Sequence, residues 1–249
     1  MHIPRVKPDL KNIDLGAAMD GCMRIENPWT EIQPEGPFVL GIDREAIEYY
    51  NEEKNGSDKK IDTSLIPEPF IGDHRSAKLV LLSLNPGLAE GDAKAHARPD
   101  FRAAMLRNLR HESQQYPFYP LKKEFEETPC AQWWLKKTRR LIEECGREKV
   151  AKGLFVIEWF PYHSKKSGLP KKPKKFVCES QRYSCQLAKE MLGRGARTRM
   201  VLLRSKDHWA ICDEDLSTRP FPRSRQNPAL TAANFGDDIF KQMCDALKT

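Results

Sequence analysis

The sequence predicts an α/β fold built on a short, mainly parallel sheet. Two observations carry that expectation. Continuous apolar runs recur at residues 79–82, 154–157 and 200–203, as strands buried on both faces require. Between them lie segments with apolar residues at helical spacing, the alternation expected of strand–helix–strand units.

The first run, Leu79-Val80-Leu81-Leu82, is extended by Leu84 and stopped by Asn85-Pro86-Gly87. Asn-Pro-Gly is a strong turn signal, and spacing alone favours a turn over a site. In open α/β sheets, however, ligands bind just beyond the carboxyl ends of the strands, where Asn85 falls. Upstream, residues 1–66 are rich in proline and charge and read as an N-terminal extension packed on a domain spanning 67–249. Within it, 42–51 reads as a helix and 55–58 as an exposed loop.

After the first strand, Pro99 opens a helix carrying Phe101, Met105, Leu106 and Leu109 inward. A loop follows at Tyr116-Pro117-Phe118-Tyr119-Pro120, and a longer helix at about 131–149 buries Trp134, Thr138, Leu141 and Cys145. Gly153 closes that helix before the second strand, which ends at Glu158-Trp159-Phe160-Pro161. Residues 165–175 form a Lys/Pro/Gly loop, and a helix at about 177–192 turns Tyr183, Leu187 and Met191 inward. The third strand leads to Ser205, read as the cap of a short helix through His208 and Trp209. Phe221 marks a fourth strand, and the last helix spans about 234–247.

At 249 residues, 39% hydrophobic and 31% charged, the chain is globular in composition. It has no apolar run of membrane-spanning length and no signal-peptide core, so a soluble cytoplasmic protein without a membrane partner is expected. The seven cysteines form no C-x-x-C pair and no zinc spacing with histidine, so they are read as reduced thiols with no metal site. No P-loop or G-x-G-x-x-G follows a strand, which argues against a nucleotide cofactor. A net charge of +7 favours polyanionic partners without requiring them. Lysines 165, 166, 171, 172, 174 and 175 are either a solvated loop or a phosphate-contacting arm, with Lys171 and Lys172 at its centre. Arg219, Arg223 and Arg225, just before Asn227, are better placed to hold a phosphate backbone near a site.

With these pieces in order, the chain resembles the uracil-DNA glycosylase superfamily, especially its thymine/mismatch-uracil and single-strand-selective branches. The motif G-x-N-P-G stands here as Ser83-Leu84-Asn85-Pro86-Gly87, with serine in the leading place. The base-stacking Pro-Phe corresponds to Pro117-Phe118, and the last motif, H/N-P-S-x-L, to Asn227-Pro228-Ala229-Leu230. The resemblance implies a three-layer αβα domain and a DNA glycosylase that needs no cofactor or metal and hydrolyses an N-glycosidic bond to leave an abasic site. It implies that Asn85 holds the attacking water, Asn227 stabilises the departing base, and Pro86 and Gly87 border the base. Phe118 stacks on the flipped base, and Leu230, or Thr231 in a shortened loop, fills the gap left in DNA. A protein that kept the fold and binds DNA without catalysis is the alternative, and Ser83 and Glu158 make it conceivable.

Glu158 stands where pyrimidine-reading members carry Asn. A carboxylate accepts from the N4 amino group of cytosine, and a protonated Glu158 also donates to N3. The competing reading pairs Glu158 with a nearby Arg or Lys, away from any base. The long insertion from Leu88 to Tyr116 reshapes the pocket for a bulkier base. Candidate substrates are hydroxymethylated or glucosylated cytosine of phage DNA, in antiviral defence, with uracil in DNA repair as the other option.

Overall fold

The computed structural model describes residues 24–224 and 228–249. Four strands form one open sheet in the order β1-β3-β2-β4: β1 (Phe70–Ile71), β2 (Leu79–Ser83), β3 (Leu154–Glu158) and β4 (Arg199–Leu202). Strand β2 runs parallel to both β3 and β4, while β1 pairs antiparallel with β3 at the edge. Every residue of β2 and β3 is buried, so both faces of the sheet are covered, an arrangement compatible with three layers.

Among the described residues the helices are α1 (Arg44–Glu53), α2 (Asp92–Ala97), α3 (Pro99–Leu109), α4 (Pro129–Cys145), α5 (Arg147–Gly153), α6 (Gln181–Leu192), α7 (Lys206–Ala210), α8 (Glu214–Ser217), α9 (Ala232–Phe235) and α10 (Asp237–Lys248). Helix α10 packs on α4, α5, β2 and β4, and α6 packs on β3. None is long and apolar enough to cross a membrane.

Several boundaries differ from the sequence reading, each for a local reason. The single helix expected at 131–149 is two, α4 and α5, because Gly146 adopts φ 84°, a conformation that ends a helix. Gly236, at φ 86°, likewise divides α9 from α10. Helix α6 starts four residues late because Gln181 Oε1 accepts from the backbone N–H groups of Val177 and Cys178, at 2.7 and 3.0 Å. Ser205 precedes α7 but makes no capping bond, sitting instead at φ 60°. Phe221 belongs to no strand; Leu202 N donates to Pro220 O at 2.9 Å, but the chain pairs no further, and the fourth strand is Phe70–Ile71. The reduced-thiol reading is corrected at one pair: Cys185 and Cys212 form a disulfide joining α6 to the segment between α7 and α8.

The 24–66 segment shares the core of the rest. Trp29, Ile32, Leu40, Ile47 and Ile66 are buried in it, and Asp43 accepts from Tyr162 Oη at 2.7 Å and Ser180 N at 3.0 Å. This segment ends against the carboxyl ends of β2 and β3, where Asp62 N donates to His163 O at 2.9 Å.

Candidate active site

Beyond the carboxyl ends of β2, β3 and β4 lies a cavity of ≈ 280 Å³, close to the lower bound of roughly 300 Å³ for small-molecule pockets. It gathers Asn85, Pro86 and Gly87 after β2, Glu158 at the end of β3, and Arg204 after β4. Leu88, Ala89, Asp92 and His96, all from the 88–116 insertion, form part of its wall. So do Trp133 and Trp134 of α4, and Lys165 and Ser167, where the basic loop begins.

Asn85 is half-buried and held by its amide. Its Nδ2 donates to Pro86 O at 2.9 Å and to Ser164 Oγ at 3.2 Å. With both N–H groups engaged, the side-chain carbonyl is the end left to a ligand or a water in the cavity.

Glu158 lies at the bottom, 5% exposed. Ser83 is its register partner across β2 and β3. Oε2 is sealed from solvent and has no partner among the described residues. Burial pushes this carboxyl up to about 8; Ser83 and Arg204 pull the other way, and Glu68 adds to the rise. Glu158 is therefore mostly protonated at neutral pH, a neutral donor and acceptor. The expected alternative of an ion pair finds no counterpart, since no Arg or Lys forms a salt bridge with Glu158 among the described residues.

A second polar cluster adjoins it. Glu68 Oε1 accepts from Tyr119 Oη at 2.5 Å, and burial drives the Glu68 carboxyl upward. His163 lies between two backbone carbonyls, Nδ1 2.7 Å from Gly87 O and Nε2 2.9 Å from Ile66 O, with Glu68 Oε2 3.9 Å away. Both nitrogens face backbone oxygens. Asp92 Oδ2 accepts from Ala89 N at 2.6 Å, closing the turn into α2, and its carboxyl is raised mainly by burial. His96 accepts from Ile66 N at 3.2 Å through Nδ1, and burial, with His163 and Arg102, pushes it down to about 3. It is a neutral wall residue.

Trp133 is 36% exposed at the cavity, on the first half of α4. Thr128 Oγ1 caps that helix by accepting from Ala131 N at 3.2 Å, and Pro129 starts it. The ring of Trp133 stands edge-on to Trp134 at 4.5 Å, and Lys137 Nζ lies 4.9 Å from its centroid. Lys137 also donates to Pro228 O at 3.0 Å, and its ammonium is pushed down to about 8, chiefly by burial.

Other expected site residues fall elsewhere. Phe118 is fully buried, edge-on to Trp134 at 5.0 Å, with its N–H donating to Ala151 O at 3.0 Å. It does not line the cavity and cannot stack on a base without unpacking the core. Leu230 is also fully buried, with its N–H donating to Lys137 O, so it is not a wedge into DNA. Thr231 is occupied as the cap of α9, accepting from Asn234 N at 3.3 Å. Arg223, Lys171 and Lys172 are exposed and do not line the cavity, and Arg219 is not near it either, lining a separate cavity instead. Lys166 is engaged with Asp58 at 2.8 Å. His208 packs edge-on to Trp159 at 4.7 Å, away from the cavity. Arg225 and Asn227 lie outside the described residues. Among the described residues no group of His, Cys, Asp and Glu is arranged to hold a metal ion.

The sequence reading missed Glu68, Asp92, Trp133 and Arg204. Only Trp133 carried a local signal: adjacent positions on a helix point about 100° apart, so a Trp-Trp pair on a half-buried helix must turn one ring outward.

Comparisons with protein-family models, curated proteins and solved structures give no match.

Proposed function

We propose that the chain is a monofunctional DNA glycosylase that hydrolyses the N-glycosidic bond of a modified pyrimidine and leaves an abasic site. The observation that carries this reading is the pairing, in one cavity, of an amide-anchored Asn85 with a buried Glu158 whose Oε2 has no partner. In this reading the Asn85 carbonyl accepts a hydrogen bond from a water aimed at C1′. An amide is not a strong base, so the bond must break largely before the water adds. The electron pair of the C1′–N1 bond leaves with the base, the water oxygen bonds to C1′, and its proton passes to solvent or to the base. Arg204, near enough to act on Glu158, supplies positive charge toward the base as it gains electrons.

Protonated Glu158 matches a cytosine edge, donating to N3 and accepting from N4–H. The insertion residues Leu88, Asp92 and His96 set the room left for a 5-substituent, which makes hydroxymethylated or glucosylated cytosine the first bases to try. Trp133 takes the stacking role in place of Phe118. The basic loop begins at the rim with Lys165, in position to follow a phosphate backbone. The reading keeps the resemblance to the uracil-DNA glycosylase superfamily as its motivation, with phage defence or base-excision repair as the setting.

The test uses oligonucleotides carrying uracil, a T·G mismatch, 5-hydroxymethylcytosine or its glucosylated form, followed by alkali. Strand breaks with at least one substrate support the enzyme. Intact DNA binding with no break in any substrate supports a non-catalytic DNA-binding protein instead.

A further inference from the structure

A second cavity, of ≈ 790 Å³, lies at the opposite end of the sheet from Asn85. Lys78 and Arg199 stand there at the starts of the parallel strands β2 and β4, with Arg199 N donating to Lys78 O at 2.8 Å. Arg197 and Arg219 complete a set of four cationic side chains around it, against one acidic side chain, Asp245.

None of the four cations forms an ion pair with a carboxylate among the described residues. Arg219 is held in place, Nε donating to Asp215 O and a terminal nitrogen to Thr218 Oγ1, both at 3.0 Å. Arg199 Nε is sealed from solvent with no hydrogen-bond partner. A buried guanidinium donor left unsatisfied is uncommon, and an anion beside it relieves both the desolvation and the repulsion between neighbouring arginines. Burial, then the Arg219 charge, lowers the Arg199 guanidinium from its ordinary value, the direction expected when like charges share a site without a counterion.

The rest of the lining mixes apolar Met191, Leu192, Met200 and Pro220 with polar Thr198, Gln242 and Thr249. Methionine adapts its shape to a flat ring, and the arginine fork matches phosphate oxygens in pairs. We propose that this cavity binds a phosphorylated small molecule of nucleotide size, at a site separate from the Asn85 cavity.

Isothermal titration calorimetry on the full chain with ADP, AMP and inorganic phosphate tests this. ADP is expected to bind more tightly than inorganic phosphate, because only the nucleotide reaches the apolar residues of the lining. Arg199→Gln and Arg219→Gln should each weaken ADP at least tenfold, with Arg199→Lys retaining more affinity than Arg199→Gln. Glu158→Gln should leave ADP binding unchanged. Should Arg199→Gln fail to fold by circular dichroism, Arg219→Gln, outside the sheet just after α8, decides alone. The proposal is overturned by no binding of any probe, by inorganic phosphate binding as tightly as ADP, by Arg219→Gln without effect, or by loss of ADP binding in Glu158→Gln.

Discussion

Ser83 and Glu158 are the last register pair of the parallel β2–β3 ladder, and the serine favours the charged carboxylate where burial opposes it. In sequence these are two separate departures from the glycosylase pattern, a Gly replaced by Ser and an Asn replaced by Glu. In space they are one feature: a register pair of serine and buried glutamate, both lining the cavity.

That feature makes a prediction about pH. Glu158 is raised to about 8 in the folded chain by burial, against an ordinary value of 4.5 when unfolded. A raised carboxyl contributes its stability fully below 4.5 and loses it as pH rises to about 8. Wild-type stability should therefore fall by up to about 1.4 kcal/mol per pH unit across that window from this one group. Denaturant unfolding from pH 5 to 9 should show this slope in the wild type and a flatter one in Glu158→Gln. Equal slopes would mean that Glu158 is already ionised at neutral pH.

Trp133 borders the cavity, whereas Phe118, to which the resemblance assigns base stacking, is fully buried. Trp133→Ala should raise KM for a cleaved oligonucleotide by roughly 5- to 150-fold, the worth of about 1–3 kcal/mol of base stacking, with Trp133→Phe recovering part. Phe118→Ala should instead lower stability by about 3–5 kcal/mol, as for a buried aromatic. Steady-state kinetics and chemical unfolding on both variants separate the roles; a KM effect confined to a well-folded Phe118→Ala would reverse the assignment.

The 165–175 loop leaves the cavity rim at Lys165 and carries exposed Lys171 and Lys172. If they contact phosphates, the double change Lys171→Ala/Lys172→Ala should reduce the slope of log K against log salt by about one to two. Fluorescence-anisotropy titrations at several salt concentrations read this directly. An unchanged slope would assign the loop to ordinary surface.

How much could be read in advance depended on how local each signal was. The three parallel strands announced themselves as apolar runs of strand length, and the NPG turn placed Asn85 at a strand end, where the cavity lies. β1 is two residues long and lacks any period, so nothing in Phe70-Ile71 marked it. Gly146 and Gly236 break helices through positive φ, which an isolated glycine in a helical pattern does not reveal. Glu68 and Asp92 reach the cavity only through the packing of distant segments. Phe118 sits in a proline-flanked loop that suggested exposure, yet the loop folds inward and buries it.

The central claim is that Asn85 holds the water that attacks C1′. The most direct measurement is mass spectrometry of free base released from a modified-cytosine oligonucleotide by wild type and by Asn85→Ala, with anisotropy confirming that both bind DNA equally. Loss of alignment at a reacting centre costs on the order of 100-fold. Release by the wild type and a drop of about that size in Asn85→Ala, at unchanged DNA affinity, is the expected result. Equal release by both proteins would contradict it.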